Sequence, residues 1–247
     1  SILFKNAVPL QKSLADPDMP VVVILSGAGM SAESGIKTFR DSGGLWEEYD
    51  IMTVASIEGW RQNPQLVTEF YNQRRSQLAT VEPNAGHHAL KHLESAYDTI
   101  IITQNVDNLH ERAGSKMVLH LHGELTKMRS SVFEQDVYEV GYEIQEHGKL
   151  CPRGTMLRPH IVWFGEEVPM MNKAIDLVKK ADIFIVVGTS LEVYPAASLI
   201  DYTPAGCRKY LIDPNLNDSI KLQGLRQIKS TAAKALPALV NQLLSEI

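Results

Sequence analysis

An apolar run, Val21-Val22-Val23-Ile24-Leu25, leads straight into Ser26-Gly27-Ala28-Gly29-Met30-Ser31-Ala32. Paired glycines let a backbone turn tightly and come close to a pyrophosphate, and the helix start that follows offers unpaired N–H groups to its charge. The same glycines suit a plain strand-to-helix turn, and alone they do not choose between the two. The usual dinucleotide fingerprint also asks for a second strand ending in an acid about 20 residues on. Here residues 39–49 hold acids with no apolar strand before them, which disfavours a standard dehydrogenase. Arg40, beside Phe39 and ahead of Gly43-Gly44, is placed to clamp a phosphate while aromatics such as Trp46 exclude water. A lone arginine in such a place is more often part of a surface ion pair.

A second polar cluster, Gln104-Asn105-Val106-Asp107-Asn108, follows Ile100-Ile101-Ile102-Thr103. Four amide or carboxylate side chains there cost strand and helix propensity, which makes sense where a ribose and a carboxamide need donors and acceptors. Capping of the next helix explains one or two of them, not all four. The next apolar run ends in His120-Leu121-His122-Gly123. Period-2 alternation puts both histidines on one face, which leaves open a metal pair or one packed and one catalytic ring. A histidine at a strand end beside a glycine suits proton transfer near neutral pH. Val186-Val187-Gly188-Thr189-Ser190 and Leu211-Ile212-Asp213-Pro214-Asn215 repeat the passage from apolar run to small or polar turn. Ligands of open α/β sheets bind outside such strand ends, so several of them point to one extended site.

These residues need a scaffold that gathers strand ends. Strand-like runs at 20–26, 99–103, 117–121, 183–188 and 209–213 alternate with helical stretches at 84–97, 170–181 and 231–246. That is the pattern of an α/β chain with a mostly parallel sheet, and the unbroken apolar character indicates strands buried on both faces. Two stretches interrupt it: 37–80, with a helix over 64–80, and 126–160, which is polar and strand-poor around Gly141, Gly148 and Gly154. Both read as insertions forming a smaller lobe, with a ligand cleft between the lobes.

At 247 residues, 44% hydrophobic and 21% charged, the chain has enough apolar surface for a core and is neither disordered nor fibrous. Its net charge of -5 disfavours a general binder of nucleic acid or anionic membrane. Its longest apolar runs fall far short of the roughly 20 residues that span a bilayer. Two cysteines, Cys151 and Cys207, are too few for a disulfide framework, and the first residues lack the features of a secretory leader. A cytoplasmic monomer is the expectation.

As an ordered set, Gly27-Ala28-Gly29-Met30-Ser31, Phe39-Arg40, Thr103-Gln104-Asn105-Val106-Asp107, His122-Gly123, Leu157-Arg158-Pro159-His160-Ile161-Val162-Trp163-Phe164-Gly165-Glu166 and Gly188-Thr189-Ser190 resemble the sirtuin family of NAD-dependent protein deacylases. Each piece is weak alone; their order along the chain is specific. The resemblance implies a Rossmann-type doubly wound parallel sheet over residues 1–36, 81–125 and 161–247, with a smaller discontinuous domain inserted at 37–80 and 126–160. NAD and an acylated lysine of a protein or peptide would meet between them.

By position, the resemblance implies that Gly27, Ala28, Gly29, Ser31 and Ala32 line the cofactor phosphates, with Phe39, Arg40 and Trp46 in a cofactor-binding loop. Gln104, Asn105, Val106 and Asp107 would surround the nicotinamide and its ribose, and Gly188, Thr189, Ser190, Asp213, Pro214, Asn215 and Ala232 the adenosine side. Val162, Trp163, Phe164, Gly165 and Glu166, and residues 191–194 with Val193, would pair with an extended substrate by strand addition. His122 would be the general base, with Asn105 and Asp107 positioning the ribose and carboxamide. The implied products are nicotinamide, O-acyl-ADP-ribose and free lysine. Mono-ADP-ribosyl transfer or NAD hydrolysis at the same site is the alternative. His122, Asn105 and Asp107 argue against an idle binding module.

Two departures matter. Many relatives hold a structural zinc with four cysteines, whereas residues 126–159 contain only Cys151, so no zinc is expected there. The lobe would rest instead on Val132, Phe133, Val137, Tyr138, Val140, Tyr142 and Ile144. Second, Gly35-Ile36-Lys37-Thr38 precedes Phe39-Arg40 where many relatives have Pro-Asp, which leaves the clamp residues intact. Tyr71 and Arg74, by contrast, fall at i and i+3 on one helix face and look like the Tyr-x-x-Arg signature of the class that removes succinyl and malonyl groups. A phenol donor and a fixed guanidinium form a seat for a terminal carboxylate.

Overall fold

The computed structural model describes residues 5–6, 16–36, 49–216 and 222–247. In chain order its strands are β1 (Lys5–Asn6), β2 (Val21–Ser26), β3 (Asp98–Thr103), β4 (Val118–His120), β5 (Gly123–Ser130), β6 (Val137–Glu139), β7 (Leu157–Ile161), β8 (Ile183–Val187), β9 (Arg208–Ile212) and β10 (Leu225–Ile228). Its α-helices are α1 (Gly29–Ala32), α2 (Ile51–Val54), α3 (Ile57–Gln62), α4 (Pro64–Leu78), α5 (Ala85–Leu93), α6 (Leu109–Arg112), α7 (Met171–Val178) and α8 (Ala232–Ser245), and a 3-10 helix covers Ala196–Tyr202. No described helix is long and apolar enough to cross a membrane.

Six strands form one parallel sheet in the order β10-β9-β8-β2-β3-β4. Chain order runs outward from β2 to β4 on one side and from β8 to β10 on the other, the doubly wound Rossmann arrangement, whose direction reverses between β2 and β8. The apolar runs alternate within themselves. Val22 and Ile24 join a core with Leu90, Leu93, Leu236, Leu239 and Leu243 of α5 and α8, while Val23 and Leu25 join one with Ala174, Leu177 and Val178 of α7 and Leu199 of the 3-10 helix. Both faces are covered, which is why these strands read as continuous hydrophobic runs. β10 escaped notice in the sequence because Leu225-Arg226-Gln227-Ile228 is an edge strand with only partial burial.

The second lobe departs from expectation. The stretch read as strand-poor carries an antiparallel sheet in the order β1-β6-β5-β7. Its strands hide in the sequence because their charged residues are tied down. Arg158 donates from both terminal nitrogens to Glu166, at 2.9 and 2.8 Å, and its guanidinium lies 3.9 Å from the centre of the Trp163 ring. Only part of the expected apolar set supports this lobe. Tyr138 and Val140 pack with Met128, Cys151 and Leu157, whereas Val132, Tyr142 and Ile144 are exposed and Phe133 and Val137 lie outside that cluster. Strand alternation turns Tyr138 inward, while Val132 sits in a bend and Ile144 in an irregular loop. A larger cluster of Val54, Trp60, Val67, Phe70, Tyr71 and Leu78 with Leu109, Leu125, Ile161 and Trp163 ties α2, α3 and α4 to β5, α6 and β7.

The start of α5 couples stability to pH. Asn84 caps it by accepting from Gly86 N–H, and Nδ1 of the buried His87 accepts in return from Asn84 N–H at 3.1 Å. Burial, then the charge of His88, push the His87 pKa down from 6.5 to about 4. The unfolded chain therefore binds the extra proton first, and stability should rise with pH between about 4 and 6.5, by about 3 kcal/mol for this group. His87→Gln keeps an acceptor without the titration, so melting temperature across that window should depend less steeply on pH. His160, also held near 4, keeps the flattening partial. Identical slopes for the two chains would remove His87 from the account.

Candidate active site at the strand ends

Each strand end is stitched to its neighbour by the residue that follows it. Gly27 N–H donates to Val187, Gly29 N–H to Gly188, Gly188 N–H to Ile212 and Gln104 N–H to Ser26. The turns after β2 and β8 thus meet where the sheet reverses, the place where open α/β sheets bind ligands. Their contact is backbone on backbone. A Cβ on Gly27 would lie 2.7 Å from the Gly188 oxygen, and one on Gly188, which has φ +73°, would lie 2.3 Å from Met30 N. The glycines read as a phosphate approach are therefore also what lets the two turns touch.

Asn105 and Asp107, more than 75 residues from that turn in the chain, are strapped to it. Asn105 Nδ2 donates to Gly27 O at 2.9 Å, and Ser31 Oγ donates to Asp107 Oδ2 at 2.7 Å. The other Asp107 oxygen accepts Leu109 N–H at 3.0 Å, the capping role allowed for in the sequence. Burial raises the Asp107 pKa against the pull of these two bonds. Beneath them lies a hydroxyl pair absent from the sequence reading: Ser26 Oγ donates to Thr103 Oγ1 at 2.7 Å, and Thr103 Oγ1 accepts Asn105 N–H at 3.0 Å. Ser26 and Thr103 stand opposite each other in register. A hydroxyl closing each of two apolar runs was the signal that could have found them. Asn108 belongs elsewhere, donating to Tyr142 Oη.

The two histidines divide. His122 Nδ1 lies 3.2 Å from Gln104 O and His120 Nδ1 lies 2.8 Å from Asn105 O. A carbonyl only accepts, so each ring carries its proton on Nδ1 and, when neutral, turns a lone pair outward from Nε2. Burial lowers the His122 pKa and the Gln104 bond opposes this, so the net shift keeps the ring neutral, with a lone pair on Nε2 to accept a proton. Burial would also lower His120, but Glu111 and Glu124 push it up to about 9. The pairing of the two histidines on one metal is not what forms; His120 clusters with Glu111 and Glu124 instead.

Tyr71 is fully buried and its Oη accepts Trp163 Nε1–H at 2.9 Å. The partly buried Arg74 sits with its guanidinium 5.9 Å from the Tyr71 ring centre and 5.8 Å from that of Phe70. Burial raises the Tyr71 pKa, which keeps the phenol a donor; burial lowers that of Arg74, opposed by the nearby Tyr71 and Asp107. The run proposed for strand addition is largely occupied by its own chain. Val162 N–H donates to His122 O, Phe164 N–H to Ala55 O and Glu166 N–H to Trp163 O, while Trp163 N–H donates to Glu166 Oε1. Trp163 is core and Glu166 is held by Arg158, whereas Phe164, Gly165 and Val193 are exposed.

On the far side, Thr189 and Ser190 are half-buried beyond Gly188. Asp213 is buried at the end of β9, its N–H donating to Ile228 O and its Oδ1 accepting Asn215 N–H at 2.7 Å. Pro214 and Asn215 are exposed, Ala232 is buried in the first turn of α8, and Ala28 and Ala32 flank α1 and its end on the surface. Gln104 and Val106 are half-buried between β3 and β4. Phe39, Arg40 and Trp46 lie outside the described residues.

The comparisons agree with this geometry. An NAD-dependent protein deacylase of Helicobacter pylori (strain J99) is 52% identical over 226 residues, 92% of this chain and 96% of the relative. One of Bacteroides thetaiotaomicron is 49% identical over 232 residues, 92% of this chain and 99% of the relative. A solved complex of a Sir2 homologue with NAD superposes with a TM-score of 0.82 at 35% identity, over 93% of this chain and 91% of that one. A Sir2 structure holding a deacetylated peptide and 3′-O-acetyl ADP-ribose gives 0.73 at 28%, over 93% and 94%. The family model described as Sir2 family matches residues 27–195, from the glycine turn through the second strand-end turn it contacts, and the chain belongs to that family.

Proposed function

We propose that the chain is an NAD-dependent protein-lysine deacylase. The observation that carries the reading is the strapping of Asn105 to Gly27 and of Asp107 to Ser31, which joins a glycine turn suited to phosphates with an amide and a carboxylate suited to a carboxamide and a ribose. The donor set fits NAD: Gly27, Ala28, Gly29, Ser31 and Ala32 on the phosphates, Gly188, Thr189, Ser190 and Asp213 toward the adenosine, with Pro214, Asn215 and Ala232 beside it. Phe39, Arg40 and Trp46 complete the cofactor loop in this reading. Bound NAD supplies an activated bond between nicotinamide and ribose. Asn105 and Asp107 orient the groups around that bond, with Gln104 and Val106 closing the pocket. His122 takes a ribose hydroxyl proton on Nε2, its other nitrogen anchored to Gln104 O. In this reading the NAD lobe, built on the parallel sheet, spans 1–36, 81–125 and 161–247 and the second lobe 37–80 with 126–160, although β1, the first residues of β5 and Ile161 pair within the antiparallel sheet of the second lobe.

Nicotinamide release from NAD should require an acyl-lysine peptide, and His122→Ala should lower turnover by roughly a hundredfold or more, with NAD binding retained. Release without peptide would favour ADP-ribosyl transfer or NAD hydrolysis instead. Unchanged turnover in the alanine variant would end the assigned role of His122.

Acidic acyl groups are the proposed preference. Tyr71 Oη and the Arg74 guanidinium stand side by side on α4, a donor and a cation for a terminal succinyl or malonyl carboxylate. The peptide passes along the exposed Phe164, Gly165 and Val193, with Val162, Trp163 and Glu166 setting the shape of that edge. Arg74→Met should lower kcat/KM for desuccinylation by about tenfold or more and leave deacetylation within about threefold, measured on matched peptides. Equal losses on both substrates would refute the carboxylate seat. The location proposed is the cytoplasm, on two free buried thiols, and the working unit a monomer.

A further inference from the structure

We propose that Glu111, His120 and Glu124 form a site for an exchangeable first-row divalent transition-metal ion, outside the nicotinamide pocket and separate from any structural zinc of the smaller lobe. His120 closes β4 with its side chain only 7% exposed and Nδ1 committed to the Asn105 carbonyl, the outer bond that orients metal-ligating histidines. Its Nε2 lies 3.2 Å from both Glu111 carboxylate oxygens and 3.7 Å from Glu124 Oε1. An ion about 2.1 Å from each donor, at angles between those of an octahedron and a trigonal plane, needs donors about 3.0 to 3.6 Å apart. The Glu111 oxygens fall inside that range from Nε2, Glu124 Oε1 lies just beyond it, and the ligand atoms of all three side chains are within 4.8 Å of one another, so small side-chain shifts close the site.

The surroundings support a cation. Lys127 Nζ holds Glu124 Oε2 at 2.7 Å, leaving Oε1 toward His120, and reaches Glu139 at 3.7 Å. Three carboxylates against one ammonium leave two negative charges, which a divalent ion cancels once it replaces the proton on the imidazole. Glu111 is 37% exposed, so water reaches the site and can complete the coordination shell. One imidazole with two carboxylates suits zinc, cobalt, manganese or iron(II) better than magnesium or calcium. The competing occupant is a proton on Nε2, shared with the two carboxylates; the ion displaces it.

The untagged full chain, stripped with EDTA and desalted, is titrated with Co2+ while visible absorbance is followed. One equivalent should saturate, without a thiolate charge-transfer band. Glu111→Gln and Glu124→Gln should each weaken binding at least about tenfold, and Cys151→Ser should leave it unchanged. The exposed Glu111 makes the first variant safe for folding, which circular dichroism verifies. Absence of saturable binding near one equivalent, or binding that survives both glutamine variants, would overturn the proposal and leave the cluster a protonated ion triad.

Discussion

The contact between the turn after β2 and the turn after β8 is the constraint on which the rest of the site depends. It exists because neither Gly27 nor Gly188 carries a side chain: a methyl at either would enter the other turn's backbone, and Gly188 also holds a left-handed φ that a side chain disfavours. Once the turns meet, their N–H groups continue the hydrogen bonding of the sheet past its last residues. The crevice where the strand order reverses is thus rigid, and side chains strapped to it inherit that rigidity.

Asn105 and Asp107 are the first to do so. Their bonds to Gly27 and Ser31 spend one donor of Asn105 and one acceptor oxygen of Asp107 on positioning, and the Ser26 and Thr103 hydroxyls lock the backbone below. The loop after β3 then fixes both histidines through two consecutive carbonyls, Gln104 and Asn105. Two chemically identical rings acquire different characters from their surroundings. Among the described residues no carboxylate shifts His122, which burial keeps neutral, whereas His120 stands between two glutamates that favour its protonated, positively charged form.

The smaller lobe contributes from the other side. Trp163 connects three features at once: it stacks under Arg158, donates to Tyr71 and belongs to the core that seats α4 on β7. The bidentate Arg158–Glu166 pair holds the end of this segment. Cys151 is packed among Met128, Tyr138, Val140 and Leu157, where a thiol acts as a small hydrophobe. Tyr71 and Arg74 are presented together because the helix that bears them is pinned along its whole buried face.

Local chemistry was enough to read the parallel sheet, the glycine turn, the polar cluster after β3 and the shared face of Tyr71 and Arg74, since each depends on residues within one or two turns of chain. The strands of the smaller lobe were not legible, because their arginines are neutralised by partners such as Glu166 that no local pattern reveals. Nor could the chain alone separate His120 from His122: alternation sets both on one face, and only the approach of Glu111 from α6 and Glu124 from β5 distinguishes them. Sequence determined which groups were available and on which element. Tertiary structure decided their partners, because hydrogen bonds and charges act over a few ångströms of space, and residues such as Gly27 and Asn105 become neighbours only when the sheet has formed.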